Sequence, residues 1–225
     1  MKILDHGYVE LVEHWGSDER FIEAARMSTN NGFKGWGDAE TPGDERLLGY
    51  LYRNKHFTPF EMGGMVIEVK APIFVVRQWM RHRTQSHNEM SARYTELPNE
   101  DYVPTVERLM MTGGKNKQAG GRVVLSLDGA SGFRHCLKYS SEVQQIEYEE
   151  ALKSGVPREL ARLLLPVSRY TRMRASANLR NWLSFLALRL DEHAQWEIRQ
   201  YAEAVYSLVK EKFPRTSALF AEGLA

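Results

Sequence analysis

Residues 81–94 read RHRTQSHNEMSARY, fourteen positions with almost no apolar side chain. No hydrophobic period of a helix or a strand runs through them, so the segment has little to give a core. The interior must be built from the elements on either side, with this run carried at the surface. A solvated loop is the ordinary fate of such a stretch. Its composition argues for more, because the cations are arginines interleaved with short hydroxyl and amide side chains. The planar arginine fork suits phosphates and flat heterocycles, whereas lysine serves where only solubility is needed. A site that holds both a phosphate and a base edge calls for this mixture.

The chain has 225 residues, enough for one good-sized core, and we read residues 1–225 as a single domain. Lys+Arg 30 against Asp+Glu 29 leaves a net charge of +1. That balance argues against a surface that binds nucleic acid as a whole, although a local basic pocket remains possible. The longest apolar runs, at 73–76 and 163–165, are too short to span a bilayer. MKILDHGYVE has no apolar signal core, so a cytoplasmic protein without a membrane partner is expected. Cys136 is alone, which excludes an internal disulfide and a CxxC metal site. The seven histidines include no HxxxH pair with a third ligand, so no metal is expected. Cys136 reads as a small packed residue.

Residues 2–12 alternate loosely and predict a first strand. Ser17 is placed to cap a helix through Ala25, and residues 30–43 are glycine-rich loop. A helix over 44–55 buries Leu47, Leu48 and Leu51. Met65, Ile67 and Val69 then alternate with Val66, Glu68 and Lys70, the mark of a strand covered on one face. Pro72 opens a helix with Ile73, Val76 and Met80 on one side and Arg77, Gln78 and Arg81 on another. The arginine-rich run therefore starts at a helix end and is expected to continue as loop. Residues 113–122 form a glycine- and lysine-rich loop. Helices are predicted over 140–154, closed by Gly155, and from Pro157 to near Pro166. A strand over 169–175 and two last helices, at about 178–190 and 194–213, complete an α/β chain of α+β type, with a mostly antiparallel sheet against several helices. The helix after Asn178 divides into three faces: an apolar stripe of Leu179, Trp182, Leu183, Leu186 and Leu190; a face with Arg180 and Ser184; and a face with Asn178, Asn181, Phe185 and Arg189.

The order Arg81-His82-Arg83, Ser86, Asn88-Glu89, Ser91, Arg93-Tyr94 fills every position of a family signature. From its start to about residue 214, and least over 109–141, the chain resembles the flavin-dependent thymidylate synthases. That resemblance implies reductive methylation of dUMP to dTMP. Methylenetetrahydrofolate would supply the carbon, FAD would carry the hydride and NADPH would reduce the flavin. It also implies a homotetramer whose active sites are shared between subunits, an arrangement that the three-faced helix suits. The positions implied to contact FAD are Thr58, Arg81, His82, Arg83, Glu89, Asn178, Arg180 and Ser184. Those implied to contact dUMP are Gln78, Arg81, Glu89, Met90, Ser91, Arg93, Arg162 and Arg189. Residues 56–61 resemble the flavin-side loop, with Met62 where a histidine is common; Ser184 stands where relatives often have Asn or His.

No GxGxxG or P-loop is present, so side chains and helix ends must hold any dinucleotide phosphates. Taken without the family, Arg162 reads equally as a helix-surface residue one turn from Arg158, and Arg189 as a cation at a helix C-terminus. The resemblance makes Arg189 the group that stabilises negative charge on the uracil imide. Two readings from other classes stay open: an RNA-binding module, which would want a broader basic face with exposed aromatics, and a plain NAD(P)H-flavin oxidoreductase, which needs no nucleotide-monophosphate site.

Overall fold

A computed structural model describes residues 1–38, 40–41, 43–111 and 124–223. The loop expected at 113–122 lies outside the described residues. Where one strand was predicted over residues 2–12, the chain forms two, β1 (Lys2–Ile3) and β2 (Gly7–Trp15). Leu4, at φ 56, turns the chain between them, a conformation that a simple alternation count cannot reveal. Gly16, at φ +75, then leads into α1 (Asp18–Arg26) and rests against Gly63, where an added Cβ would stand 2.6 Å from the Gly63 Cα. Ser17 caps α1 as expected, accepting from the Arg20 amide at 3.4 Å.

After α2 (Asp44–Arg53) comes β3 (Gly64–Pro72), with Met65, Ile67 and Val69 fully buried. With β4 (Ser86–Glu89) and β5 (Tyr170–Asn178) it forms a five-stranded antiparallel sheet, in the order β1-β2-β3-β5-β4 with β3 at the centre. The fifth strand, β5 (Tyr170–Asn178), is longer than the sequence suggested and pairs with β3 from Gly64↔Asn178 to Pro72↔Tyr170. That register sets Met173, Ala175 and Ala177 beside Val69, Ile67 and Met65 on one apolar face. The opposite face carries Glu68 with Arg172 and Arg174.

One correction concerns the arginine-rich run. α3 (Ile73–Trp79) ends as expected, but the run does not continue wholly as loop: Ser86–Glu89 forms the edge strand β4 on β5. Four polar residues join the sheet through backbone pairing, which leaves no hydrophobic alternation to read. Trp79 is buried, and its indole N–H donates to Gln85 Oε1 at 2.9 Å, which closes the turn between α3 and β4.

A short α4 (Val106–Met110) precedes α5 (Leu127–Lys153), which is about twice the length predicted and capped by Ser126. Only Ala130 and Tyr148 of α5 are buried, so its first half carries no apolar stripe to announce it. Cys136 lies on this part and is exposed, not packed. After α6 (Arg158–Ala161) the chain narrows to a 3-10 turn at Arg162–Leu164, short of the full helix expected to Pro166. α7 (Leu179–Arg189) and α8 (Trp196–Lys212) follow as predicted, and a third helix, α9 (Pro214–Glu222), adds to them. Pro214 ends one helix and occupies the first turn of the next, a position that needs no donor. Asp18, buried in the first turn of α1, caps α9: it accepts from the amides of Arg215 at 2.8 Å and Thr216 at 3.2 Å, and from the Thr216 hydroxyl at 2.5 Å. No helix among the described residues is long and apolar enough to cross a membrane.

Candidate active site

α7 is where the predicted residues converge. Asn178 caps it, its Oδ1 accepting from the Asn181 amide at 3.0 Å, so this side chain is engaged within the chain. Asn181 in turn donates to the Thr84 carbonyl at 3.1 Å, which ties the turn after α3 to the start of α7. On another face Arg180 pairs with Glu61 of the short 3-10 turn Thr58–Glu61 and lies 5.9 Å from the Phe57 ring. Arg180 and Ser184 border a cleft of about 250 Å³ with Tyr52, Phe57 and Leu183, and Thr58 follows directly on Phe57. The three-faced reading of α7 needs one change. Phe185 belongs to the core, fully buried and stacked on Trp79 at 4.5 Å, because the apolar arc takes in residues 182, 183, 185 and 186.

At the far end of α7, Arg189 is half-buried and held from two sides. Its Nε donates to His82 Nε2 at 2.9 Å, and an Nη donates to the Gln78 carbonyl at 3.0 Å. Because arginine only donates, His82 Nε2 must present its lone pair, and the imidazole is the neutral form. Burial lowers the His82 pKa to about 4, with the Arg189 charge and His87 adding to the effect. The ring also meets Phe185 edge-on at 4.9 Å. His82 is thus turned inward, while its neighbours Arg81 and Arg83 are exposed.

Glu89, Met90, Ser91 and Arg162 line a second cleft, of about 330 Å³, together with Thr171 and Leu165. β4 carries Glu89 into it, and the Met90 amide is fixed on the Arg172 carbonyl at 2.8 Å. The 3-10 turn aims Arg162 from across the gap, its Nε donating to the Glu159 carbonyl at 3.3 Å. Arg93 stands outside, paired with Glu159 at 3.1 Å and exposed. Burial pushes the Glu89 carboxyl up, held back by the Thr171 hydroxyl beside it. Thr171 was passed over in the sequence because a β-branched residue in a strand attracts no notice. It is 1% exposed, yet its hydroxyl closes no hydrogen bond of good geometry among the described residues. A buried hydroxyl with no more than a loose contact to Glu89, facing a cleft, is a waiting contact.

Glu89, Met90 and Ser91 also border a broader cleft of about 660 Å³, floored by Glu68, Arg172 and Arg174. Within one chain, Gln78, His82 and Arg189 form one corner, whereas Glu89, Met90, Ser91 and Arg162 line another. The sequence reading also missed Arg108, Gln195 and Glu197, which connect to Gln78 from below. Glu197 is buried with its carboxylate on Arg108 at 2.7 Å. An acidic residue in a first helical turn is too common to single out.

Fold and site define the class: an α+β protein with arginine-lined clefts at the edge of an antiparallel sheet. Comparison with known proteins narrows it. The model of a family described as "Thymidylate synthase complementing protein" matches residues 10–215, and the chain belongs to that family. A flavin-dependent thymidylate synthase of Anaplasma marginale is 41% identical over 222 residues, 99% of this chain and 74% of the relative. One from Thermotoga neapolitana is 42% identical over 218 residues, 97% of this chain and 92% of the relative. Among solved structures, the UMP/dUMP methylase PolB from Streptomyces cacaoi, bound with 5-Br dUMP, aligns with a TM-score of 0.84 at 37% identity. That alignment covers 99% of this chain and 97% of the other.

Proposed function

We propose that the chain is a flavin-dependent thymidylate synthase that converts dUMP to dTMP, with methylenetetrahydrofolate as carbon donor and NADPH as reductant. The observations that carry the reading are the cleft of Glu89, Ser91, Arg162 and Thr171, and a half-buried Arg189 held by His82 and the Gln78 backbone carbonyl with donors to spare. A nucleoside monophosphate needs cationic forks and hydroxyls at its phosphate, and amide-like groups at its base. Arg162, Arg93 and Ser91 are assigned to the phosphate, and Gln78, Arg81, Glu89 and Met90 to the rest of the nucleotide. Arg189 spends Nε and one Nη donor on the protein, and its remaining donors can meet an imide oxygen of uracil. There it would stabilise the negative charge that makes the ring carbon a better nucleophile. Since this needs no thiolate, Cys136 has no part in it.

The residues fit a flavin dinucleotide. Arg81 and Arg83 are exposed at the turn after α3, and the turn is tied to α7 through Asn181. Thr58, His82, Glu89, Asn178, Arg180 and Ser184 are assigned to the same cofactor, with cations and helix ends in place of a glycine cradle. FAD would supply two-electron redox chemistry between NADPH and the transferred carbon. A homotetramer follows from the same reading: Arg189 and Gln78 do not line the cleft of Arg162, so a nucleotide that meets all three would lie between subunits. We also read the chain as a single cytoplasmic domain.

The test is direct. Purified protein supplied with FAD is expected to be yellow, its flavin spectrum to shift on adding dUMP, and dTMP to form when methylenetetrahydrofolate and NADPH are present. UMP is run in parallel because the solved relative is described as a UMP/dUMP methylase. Protein unable to take up FAD overturns the proposal. Colour without any response to either nucleotide leaves a plain flavin oxidoreductase.

A further inference from the structure

Behind Gln78 runs a chain of side-chain hydrogen bonds that begins at a buried carboxylate. Glu197, 3% exposed in the first turn of α8, takes Arg108 Nε at 2.7 Å and the Tyr102 hydroxyl at 3.1 Å on Oε1. Its Oε2 accepts from Arg108 Nη2 at 3.3 Å and from Gln195 Nε2 at 2.8 Å. Gln195 Oε1 then accepts from Gln78 Nε2. Arg108 holds the Glu197 carboxyl below its usual range against the opposing cost of burial.

The direction of this chain is forced by chemistry. A carboxylate paired with arginine only accepts, so the end of the Gln195 amide that faces it must be the NH₂. The carbonyl of Gln195 is thereby turned to Gln78, which must answer with its own NH₂. Gln78 is left with its carbonyl oxygen facing away from the chain. Two amides that could each sit either way round are locked in one sense by one buried charge. Reversal would set NH₂ against NH₂, or a carbonyl against the carboxylate.

We propose that Glu197 and Gln195 are positioning residues that fix Gln78 as a hydrogen-bond acceptor toward the pyrimidine, so that the site selects a base with a donor at ring position 3. The proposal rests on the reading above, in which Gln78 meets the nucleotide. Uracil offers an imide N–H at that position, whereas cytosine offers a lone pair. Accepting the imide N–H would also favour negative charge on the imide, the same charge that Arg189 would stabilise at an imide oxygen.

The experiment measures dUMP and dCMP affinity by calorimetry for the FAD-loaded parent, for Glu197→Gln and for Gln195→Met. The first variant removes the carboxylate that sets the direction. The second breaks the chain without leaving Arg108 unpaired, and so serves if the first folds poorly. Parent protein is expected to prefer dUMP by at least about tenfold. Both variants should narrow that preference by about five- to tenfold while FAD affinity stays unchanged. A purely structural role would weaken both nucleotides alike. An unaltered dUMP-to-dCMP ratio in folded variants overturns the proposal, whereas a parent that binds no dUMP overturns the functional reading beneath it.

Discussion

The two corners of the site are built differently. Around Arg189 nearly every group is already occupied: His82 takes Nε, the Gln78 carbonyl takes an Nη, Phe185 backs His82, and Trp79 backs Phe185. Around Arg162 the polar groups are spare. The Thr171 hydroxyl makes no well-formed hydrogen bond among the described residues, the half-buried Glu89 has only a loose contact with it, and the cleft stands open. The first corner resembles a preorganised electrostatic device, whose value lies in needing no rearrangement when charge develops. The second resembles a receptor whose hydrogen bonds are completed by a ligand. On that contrast, loss of Arg189 should strike turnover, and changes around Arg162 should strike affinity.

The largest effect is expected from Arg189→Ala. Loss of a preorganised charge stabiliser costs about 100- to 1000-fold in turnover, and flavin colour should be retained. Near-parental rates of dTMP formation would remove Arg189 from the chemistry. Next come Arg81→Ala and Arg83→Ala, each expected to weaken FAD by about ten- to a hundredfold, the worth of one charge-assisted bond. Unchanged flavin titrations in both variants would place the dinucleotide elsewhere.

Thr171→Val sharpens the contrast from the other corner. Removing an unpartnered buried hydroxyl should leave stability equal or raise it by about 1 kcal/mol. The KM for dUMP should nevertheless rise by about two- to tenfold, with kcat little changed. A fall in the urea midpoint with KM unchanged would show the hydroxyl serving the fold instead.

A smaller effect follows from His82. The folded protein keeps this imidazole neutral down to about pH 4, whereas an unfolded chain protonates it near the ordinary 6.5. Above pH 6.5 neither state carries the proton. Between 6.5 and 4 only the unfolded state does, so stability is withdrawn as pH falls through that window. His82→Asn keeps an acceptor for Arg189 without titrating, and its urea midpoint should fall less than the parental one between pH 7 and pH 4.5. Equal slopes would mean that His82 does not titrate as described. The smallest effect belongs to Cys136→Ala, which should keep most dTMP synthesis, since the thiol is exposed on α5 and does not line the cleft of Arg162. Loss of activity with flavin content intact would contradict a mechanism without a cysteine nucleophile.

The same division governs how much the sequence disclosed. β3 was readable because Met65, Ile67 and Val69 obey a period of two, and α1 because Ser17 and its acidic first turn mark a start. β4 was not, since Ser86, His87, Asn88 and Glu89 enter the sheet by backbone pairing alone. The first half of α5 was missed for want of an apolar stripe, and α9 because Pro214 reads as a stop. In the site, residues 81–94 announced themselves by composition. Arg162 and Arg189 looked like ordinary surface cations until the family resemblance raised them. Nothing local in the sequence pointed to Thr171, Gln195 or Glu197, whose importance lies in what stands opposite them in space.

The cap that Asp18 places on α9 has a consequence for how the chain is made. Its partners lie up to 198 positions later, so while the chain is being synthesised the carboxylate waits without them. At about 5–20 residues per second, that wait lasts about 10 to 40 s. Throughout that interval the seam between α1 and α9 stands open, and the hydrophobic surface that α9 covers is exposed. Among the described elements α9 acts as a latch, closing a seam that α1 opens near the start of synthesis.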